Sequence, residues 1–273
     1  GGEPPESKIP QEVRHGAYPV IEFKGLIFTY MGPAAETPAF PILDHFDLGP
    51  GDDMVPFLIP SPCNWLQVYE NSFDPYHTAF LHTRVSGVQF TNDFAALPVI
   101  DIFEREYGYA YTNSRRVDDK IWLRLHDHML PNFSQNGSMF PDASEPLYFA
   151  RAGLTRWVVP VDDTNTLTIA WRHFVEGMDK RAIGNKEDCG YNKVDFYGQT
   201  GDRSYEQMQR MPGDYEAWRS QGPVNIHSRE HLGTTDRGVA MARNHHRRSI
   251  RRLAKGETLP QPTVLGDPVP LWG

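Results

Sequence analysis

The chain has 273 residues, enough for one large domain or two modest ones, and its 27 basic against 35 acidic residues give a formal net charge of −8. An acidic chain has no bulk attraction for polyanions, which argues against nucleic acid as a partner, and no run of about eighteen apolar residues is present to cross a membrane. The opening residues are polar with no hydrophobic signal segment, and Cys63 and Cys189 form no CxxC pair, so the expected compartment is the cytoplasm and a disulfide scaffold is not expected.

In chain order, the Gly1-Gly2-Glu3-Pro4-Pro5 opening reads as an extended linker from the interior of a longer protein. Two strands are expected at Ala17–Phe23 and Leu26–Tyr30, with Lys24-Gly25 as the hairpin turn. The proline-rich stretch from Ala34 to Pro60 has no clear period and reads as a connection between lobes. A helix is expected from Asn64 to about Leu81, bent or restarted at Pro75. Strand-like segments follow at Val99–Arg105, Gly108–Asn113, Lys120–His126, Ser138–Phe140, Leu147–Val158 and Thr166–Phe174, the last preceded by the turn-forming run 161–165. Residues 203–220 read as helical with a break at Pro212-Gly213. A final helix is expected over Thr235–Ala254, capped by Thr234 or Thr235, before a proline- and glycine-rich tail. The pattern of helix, sheet and helices predicts an α+β domain, with an antiparallel sheet curled around a long C-terminal helix.

The stretch from Asn64 to His82 sets Glu70, Asn71, Asp74, His77 and His82 among bulky aromatic residues. Polar groups in such company are costly to bury unless they are paired or bind a metal. Two imidazoles with a carboxylate suit the facial triad of non-haem iron(II) oxygenases. His77 and His82, five residues apart, point roughly 140° away from each other on a regular helix. To share a metal, the helix must bend, end, or widen into a π turn between them. Asp74 lies three residues before His77, on the same face, and is better placed to orient its free ring nitrogen than to ligate. The residues alone leave three readings open: a redox metal site, a zinc hydrolase, and a non-enzymatic ligand-binding module with two satisfied histidines. Other conceivable ligand pairs are His126 with His128, which straddle Asp127 at strand spacing, and His245-His246 on a basic, exposed helix.

At this helix the chain resembles the Rieske non-haem iron ring-hydroxylating oxygenase α subunits, in particular the phthalate dioxygenase-like branch. The resemblance rests on Asn64-Trp65, Glu70-Asn71, and the Asp74, His77 and His82 spacing. It also rests on a distant block from Pro212-Gly213-Asp214 to Pro223, continuing to Glu230-His231-Leu232-Gly233-Thr234-Thr235-Asp236. A weaker match, His15 to Val20 with Gly25 to Pro33, resembles the run that closes a Rieske domain. The resemblance implies a helix-grip fold (START/Bet v 1-like), with residues 1–33 as the linker and terminal strands of a Rieske domain, 34–60 as a connection and 61–273 as the mononuclear iron domain. It implies that His77, His82 and Asp214 hold Fe(II), and that Asp74 bridges electrons from the cluster of a neighbouring subunit.

The Cys-x-His and Cys-x-x-His ligands of a [2Fe-2S] cluster are missing from these 273 residues. The cluster is therefore expected in the full-length protein, and the fragment alone is expected to bind iron and turn over poorly. The further implications are a separate reductase using NADH or NADPH, a homotrimer or trimer-based hexamer, and O2-dependent hydroxylation or O-demethylation of a carboxylated or methoxylated aromatic. Trp122, Trp157 and Trp171 are candidate pocket walls, though ordinary core is the plainer expectation for each. Arg124, Arg151, Arg156 and Arg172 are candidate partners for a substrate carboxylate. The run Arg247-Arg248-Ser249-Ile250-Arg251-Arg252 reads as a solvated helix face.

Overall fold

The structure is a computed structural model; it describes residues 2–43, 46, 49–105, 107–138, 152–174, 184–194 and 198–260. Two compact units divide between Phe40 and Pro41. In the smaller unit, a one-turn helix α1 (Ile9–Glu12) precedes the hairpin β1 (Val20–Phe23) and β2 (Leu26–Thr29). Lys24 and Gly25 have φ of 47° and 76°, the pair of positive values that a two-residue turn of matching twist requires. Phe23 and Phe28 pack on Phe40, with ring centroids 5.3 and 4.9 Å away.

The larger unit is built on a seven-stranded antiparallel sheet in the order β3-β9-β8-β7-β6-β5-β4. Its strands are β3 (Asp53–Ser61), β4 (Val99–Arg105), β5 (Gly108–Val117), β6 (Lys120–Met129), β7 (Phe133–Gly137), β8 (Ala152–Pro160) and β9 (Thr166–Phe174). β3 lies within the stretch 34–60 read as a connection. Its burial alternates, and it pairs with β9 along its whole length, which is how a strand with Pro56 and Pro60 finds a place at a sheet edge. β7 comes earlier than the expected strand at Ser138–Phe140. Its sequence, Phe133-Ser-Gln-Asn-Gly137, is turn-like, and two ladders, to β6 and to β8, override that local preference. Phe140 and the first part of the expected strand from Leu147 lie outside the described residues.

The expected helix from Asn64 is divided into four pieces. α2 (Trp65–Glu70) runs into a 3-10 turn at Asn71–Phe73; then follow α3 (His77–Phe80) and a π turn at Leu81–Val85. α4 (Tyr205–Arg210) and α5 (Asp214–Arg219) flank the break at Pro212-Gly213, and Ser204 caps α4 in a reciprocal box with Gln207. The C-terminal helix α6 spans Arg237–Ala254. Neither Thr234 nor Thr235 caps it. They sit in a 3-10 turn whose Asp236 carboxylate accepts from the Gly233 amide at 2.6 Å.

The sheet curls around α6, as the helix-grip expectation requires. Val239 and Ala242 of α6 join Val68, Tyr69 and Phe73 of the first helices and Tyr109 and Tyr111 of β5 in the main core, and the Tyr109 hydroxyl donates to the Met241 carbonyl at 2.9 Å. Cys63 and Cys189 are free thiols. No described helix is long and apolar enough to cross a membrane.

Candidate metal centre

The site begins with the way the first helix is interrupted. Asn64 starts α2 by accepting from the Leu66 amide at 3.0 Å. The residue before a proline is steered away from helical geometry, and Asp74, preceding Pro75, has φ −114° and ψ 85°. Its Oδ1 then accepts from the Tyr76 amide at 2.9 Å and the His77 amide at 3.3 Å, restarting the helix at His77. The regular helix ends at Phe80 and a π turn follows at Leu81–Val85, so His82 leaves the helical phase that His77 sets. The imidazoles of His77 and His82 thus meet with ring centroids 5.0 Å apart.

Both rings are held through Nδ1. His77 Nδ1 contacts the backbone carbonyl of Asp74, and His82 Nδ1 contacts Gln89 Oε1 at 2.7 Å. Each acceptor calls for a proton on Nδ1, which leaves the Nε2 lone pairs bare. Those lone pairs face one oxygen: Asp214 Oδ1 lies 3.3 Å from His77 Nε2 and 3.1 Å from His82 Nε2. Asp214 opens α5, and its other oxygen accepts from Gln199 Nε2 at 2.8 Å. Gln89 and Ser86 both donate to the Pro212 carbonyl, at 3.0 and 2.6 Å, tying the His82 turn to the loop that presents Asp214. The loop passes so close to Gly198 that a Cβ on Gly213 would lie 2.3 Å from the Gly198 carbonyl oxygen, which requires glycine there.

His82 and Asp214 are buried and His77 half-buried. Burial disfavours the Asp214 carboxylate, yet the two imidazoles outweigh it and hold its pKa well below the usual carboxylate range. Burial likewise works against a protonated His77, but the hydrogen bond and charge of Asp214, with Asp74, raise its pKa above the ordinary 6.5. Two lone pairs converging on a buried carboxylate oxygen that has no hydrogen-bond donor repel one another unless a proton or a cation sits among them. The three ligand atoms lie within 4.8 Å of each other, and this is the one such group among the described residues. Two imidazole nitrogens and a carboxylate oxygen suit Fe(II) or Zn2+, with positions left open for exogenous ligands.

The structure separates the remaining candidates. The Asp74 carboxylate stays 3.9 Å from His77 Nδ1, so that ring nitrogen is oriented by the Asp74 backbone instead of its side chain. Glu70 faces away from the triad and pairs with Arg243. His126 and His128 point together into the sheet's inner side, but Asp127 points elsewhere, to Arg105 at 2.7 Å. His245 is buried, contrary to the exposed helix face expected for it, because it packs against Tyr109 of the sheet at 4.8 Å. The cavity at the triad is bounded by Phe57, Phe90, Phe94, Tyr111 and Trp218, and by Arg124, Arg156 and Arg172. Trp122, Trp157 and Trp171 are not among its walls: Trp122 stacks behind Phe94 and the other two pack together at 5.2 Å. Arg151 lies outside the described residues. Sequence reasoning missed Gln89 and Gln199. Both sit in segments without periodicity, and a lone glutamine there carries no local signal.

No family model matches the chain. It is 41% identical over 274 residues to the tert-butanol monooxygenase / tert-amyl alcohol desaturase oxygenase subunit of Aquincola tertiaricarbonis, covering 95% of this chain and 57% of that protein. It is 31% identical over 270 residues to the phenoxybenzoate dioxygenase subunit alpha of Ectopseudomonas oleovorans, covering 92% of this chain and 62% of that one. The chain thus spans about three fifths of the curated relatives it matches. Among solved structures, dicamba monooxygenase bound to dicamba shares the fold, with a TM-score of 0.57 and 12% identity over 87% of this chain and 70% of that one.

Proposed function

We propose that the chain is part of an oxygenase subunit of the Rieske type, phthalate dioxygenase-like branch, and that it is the part holding a mononuclear Fe(II) that oxidises a small organic substrate with dioxygen. The observation that carries the reading is the convergence of His77 Nε2, His82 Nε2 and the donor-less Asp214 Oδ1. Iron, when bound, supplies dioxygen activation, with reducing equivalents from a Rieske [2Fe-2S] cluster fed by a reductase that uses NADH or NADPH. The chain's own residues do the rest. His77 and His82 offer neutral nitrogens, Asp214 offers the negative charge, Gln199 fixes the carboxylate, and Gln89 fixes the His82 ring. Phe90, in edge contact with His82 at 4.7 Å, and Trp218 wall the site from water.

The names of the relatives include a tertiary alcohol and an aryl carboxylate. The aromatic lining of this cavity favours an aromatic substrate, handled by hydroxylation or O-demethylation. Asp74, a third exposed beside His77, is read as the route by which an electron from a neighbouring subunit's cluster in a trimer reaches the site. The test is anaerobic Fe(II) titration of the chain, followed by oxygen consumption by the longer oxygenase with its cluster domain and reductase. One equivalent of iron and uptake coupled to an oxidised aromatic are expected, and Asp74→Asn should keep the iron while coupled uptake collapses. Tight zinc with oxygen-independent hydrolysis, or a cavity indifferent to metal, would sink the proposal.

A further inference from the structure

Arg115 of β5 is fully buried and is not among the residues that border the cavity at the triad. Its guanidinium makes four hydrogen bonds. Nη2 donates to the Pro75 carbonyl at 3.1 Å and to the Thr78 hydroxyl at 2.7 Å, Nε donates to the Ala96 carbonyl at 3.1 Å, and Nη1 donates to Asn113 Oδ1. Its Cζ lies 5.1 Å from the ring centroid of Phe94 and 5.7 Å from that of Trp122. Among the described residues, no carboxylate pairs with it. Burial brings its pKa down to about 10, so it stays cationic at neutral pH. Burying a cation without a counter-charge is costly unless its N–H groups are satisfied, and here two segments of the metal centre supply the acceptors.

The first segment is the helix break at Pro75. The Asp74 carbonyl orients His77 through Nδ1, and the Pro75 carbonyl is the next one along the chain. The proline ring locks φ between these two peptide planes, so holding the Pro75 carbonyl leaves the Asp74 carbonyl little freedom to turn. Arg115 and the Thr78 hydroxyl, at 2.6 Å, both donate to the Pro75 carbonyl. The second segment follows His82. Gln89 Oε1 holds His82 Nδ1, Phe90 lies edge-on to the His82 ring, and Phe94 packs on Phe90 with ring centroids 6.1 Å apart. This segment runs on to Ala96, whose carbonyl accepts from Arg115 Nε. One planar guanidinium therefore spans the supports of both imidazoles, on either side of the point where the regular helix gives way to the π turn.

We propose that Arg115 is a positioning residue of the metal centre: by joining the Pro75 break to the segment 89–96, it sets the separation and angle of the His77 and His82 rings. The assignment rests on reading His77, His82 and Asp214 as a metal site, and it adds a group that touches none of the three. Arg243 supplies the contrast. It is a buried arginine too, but it pairs with Glu70 and Glu230. Lysine at position 115 would keep the charge, but its compact ammonium lacks the fork that reaches both segments at once.

The test uses cobalt(II) as the metal probe and needs no turnover. Affinity is read by competitive chelator titration, coordination geometry by the visible d–d spectrum of the cobalt-loaded chain, and ring placement by the NMR resonances of His77 and His82 in the metal-free chain. Arg115→Met is expected to lower cobalt affinity by at least about tenfold, to change the d–d spectrum and to shift both sets of ring resonances. Arg115→Lys should recover part of the affinity. Arg243→Met should lower the urea midpoint and leave the affinity as it was. A folded Arg115→Met that binds cobalt as the wild type does, or whose His77 and His82 resonances stay in place, would overturn the assignment. An equal loss of affinity in Arg243→Met would also overturn it, since the effect would then be one of general stability. Should Arg115→Met fail to fold by circular dichroism, Arg115→Lys and Thr78→Val decide, and wild-type affinity in both would sink the idea. If the wild-type chain takes up no cobalt, the metal reading fails, and the ring resonances of metal-free Arg115→Met alone decide the positioning role.

Discussion

Two buried polar clusters in the larger unit are both assembled from distant parts of the chain, and they differ in whether their atoms are satisfied. In the first, Arg243 of α6 reaches both oxygens of Glu70 and both of Glu230, with Nη2 2.6 Å from Glu70 Oε2 and 3.0 Å from Glu230 Oε1. Asn225 donates to the same Glu230 oxygen as Arg243 Nη2. The Arg243 hydrogen bond, despite opposing burial, holds Glu230 below the usual carboxylate range. In the second, His77, His82 and Asp214 bring two bare lone pairs and an oxygen without a donor to one point. Every acceptor in the first cluster has its donor, and the cluster ties α2 to α6 and to the loop bearing Glu230. The second stays open at its centre, which is what a binding site needs and a structural brace cannot tolerate. Glu70 and Glu230 belong to the same sequence blocks as the triad, so sequence resemblance alone does not distinguish brace from site.

Breaking each cluster should have different consequences. The largest expected effect is on stability, in Arg243→Met: it strands two largely buried carboxylates, at about 3–5 kcal/mol, read as a lowered urea midpoint. Asp214→Ala should do the reverse. Metal affinity falls by roughly a hundredfold or more while the urea midpoint of the metal-free chain moves little, because the lone pairs lose a neighbour they do not need for folding. If Asp214→Ala unfolded the chain as Arg243→Met does, the contrast between the clusters would be false. Gln89→Ala and Gln199→Ala, which remove only the groups that orient His82 and Asp214, are expected to cost about 10–100-fold in metal affinity by competitive chelator titration.

The smallest effect concerns protons. Asp214 raises the His77 pKa above 6.5, so in the metal-free chain His77 stays protonated to a higher pH than an ordinary imidazole. A proton on Nε2 competes with a metal, so affinity falls as pH drops through that raised value and is full above it. NMR titration of the metal-free chain should place the His77 midpoint above 6.5, and Asp214→Asn should lower it. A midpoint unchanged by Asp214→Asn would mean that the carboxylate does not face this ring in solution.

What the sequence determined by itself follows from short-range rules. Lys24-Gly25 had to turn, Pro75 had to interrupt the first helix, and a metal shared by His77 and His82 required the helix to bend, end or widen between them, of which the structure shows a π turn at Leu81–Val85. Pro212-Gly213 had to break the helical run before Asp214, and residues 166–174, with Leu167, Ile169 and Trp171 alternating after a turn-forming run, had to be a strand. Tertiary structure decided what depends on partners far away in the chain. β3 and β7 exist because neighbouring strands complete their ladders, against prolines in one and turn-forming residues in the other. Gln89 and Gln199 become orienting groups only when the loops around Pro212 and Gly198 close on each other. Arg124, Arg156 and Arg172 were equal candidates in the sequence. The fold brings all three to the wall of the cavity, because which side chains border a pocket is set by where the strands lie in space and not by their neighbours along the chain.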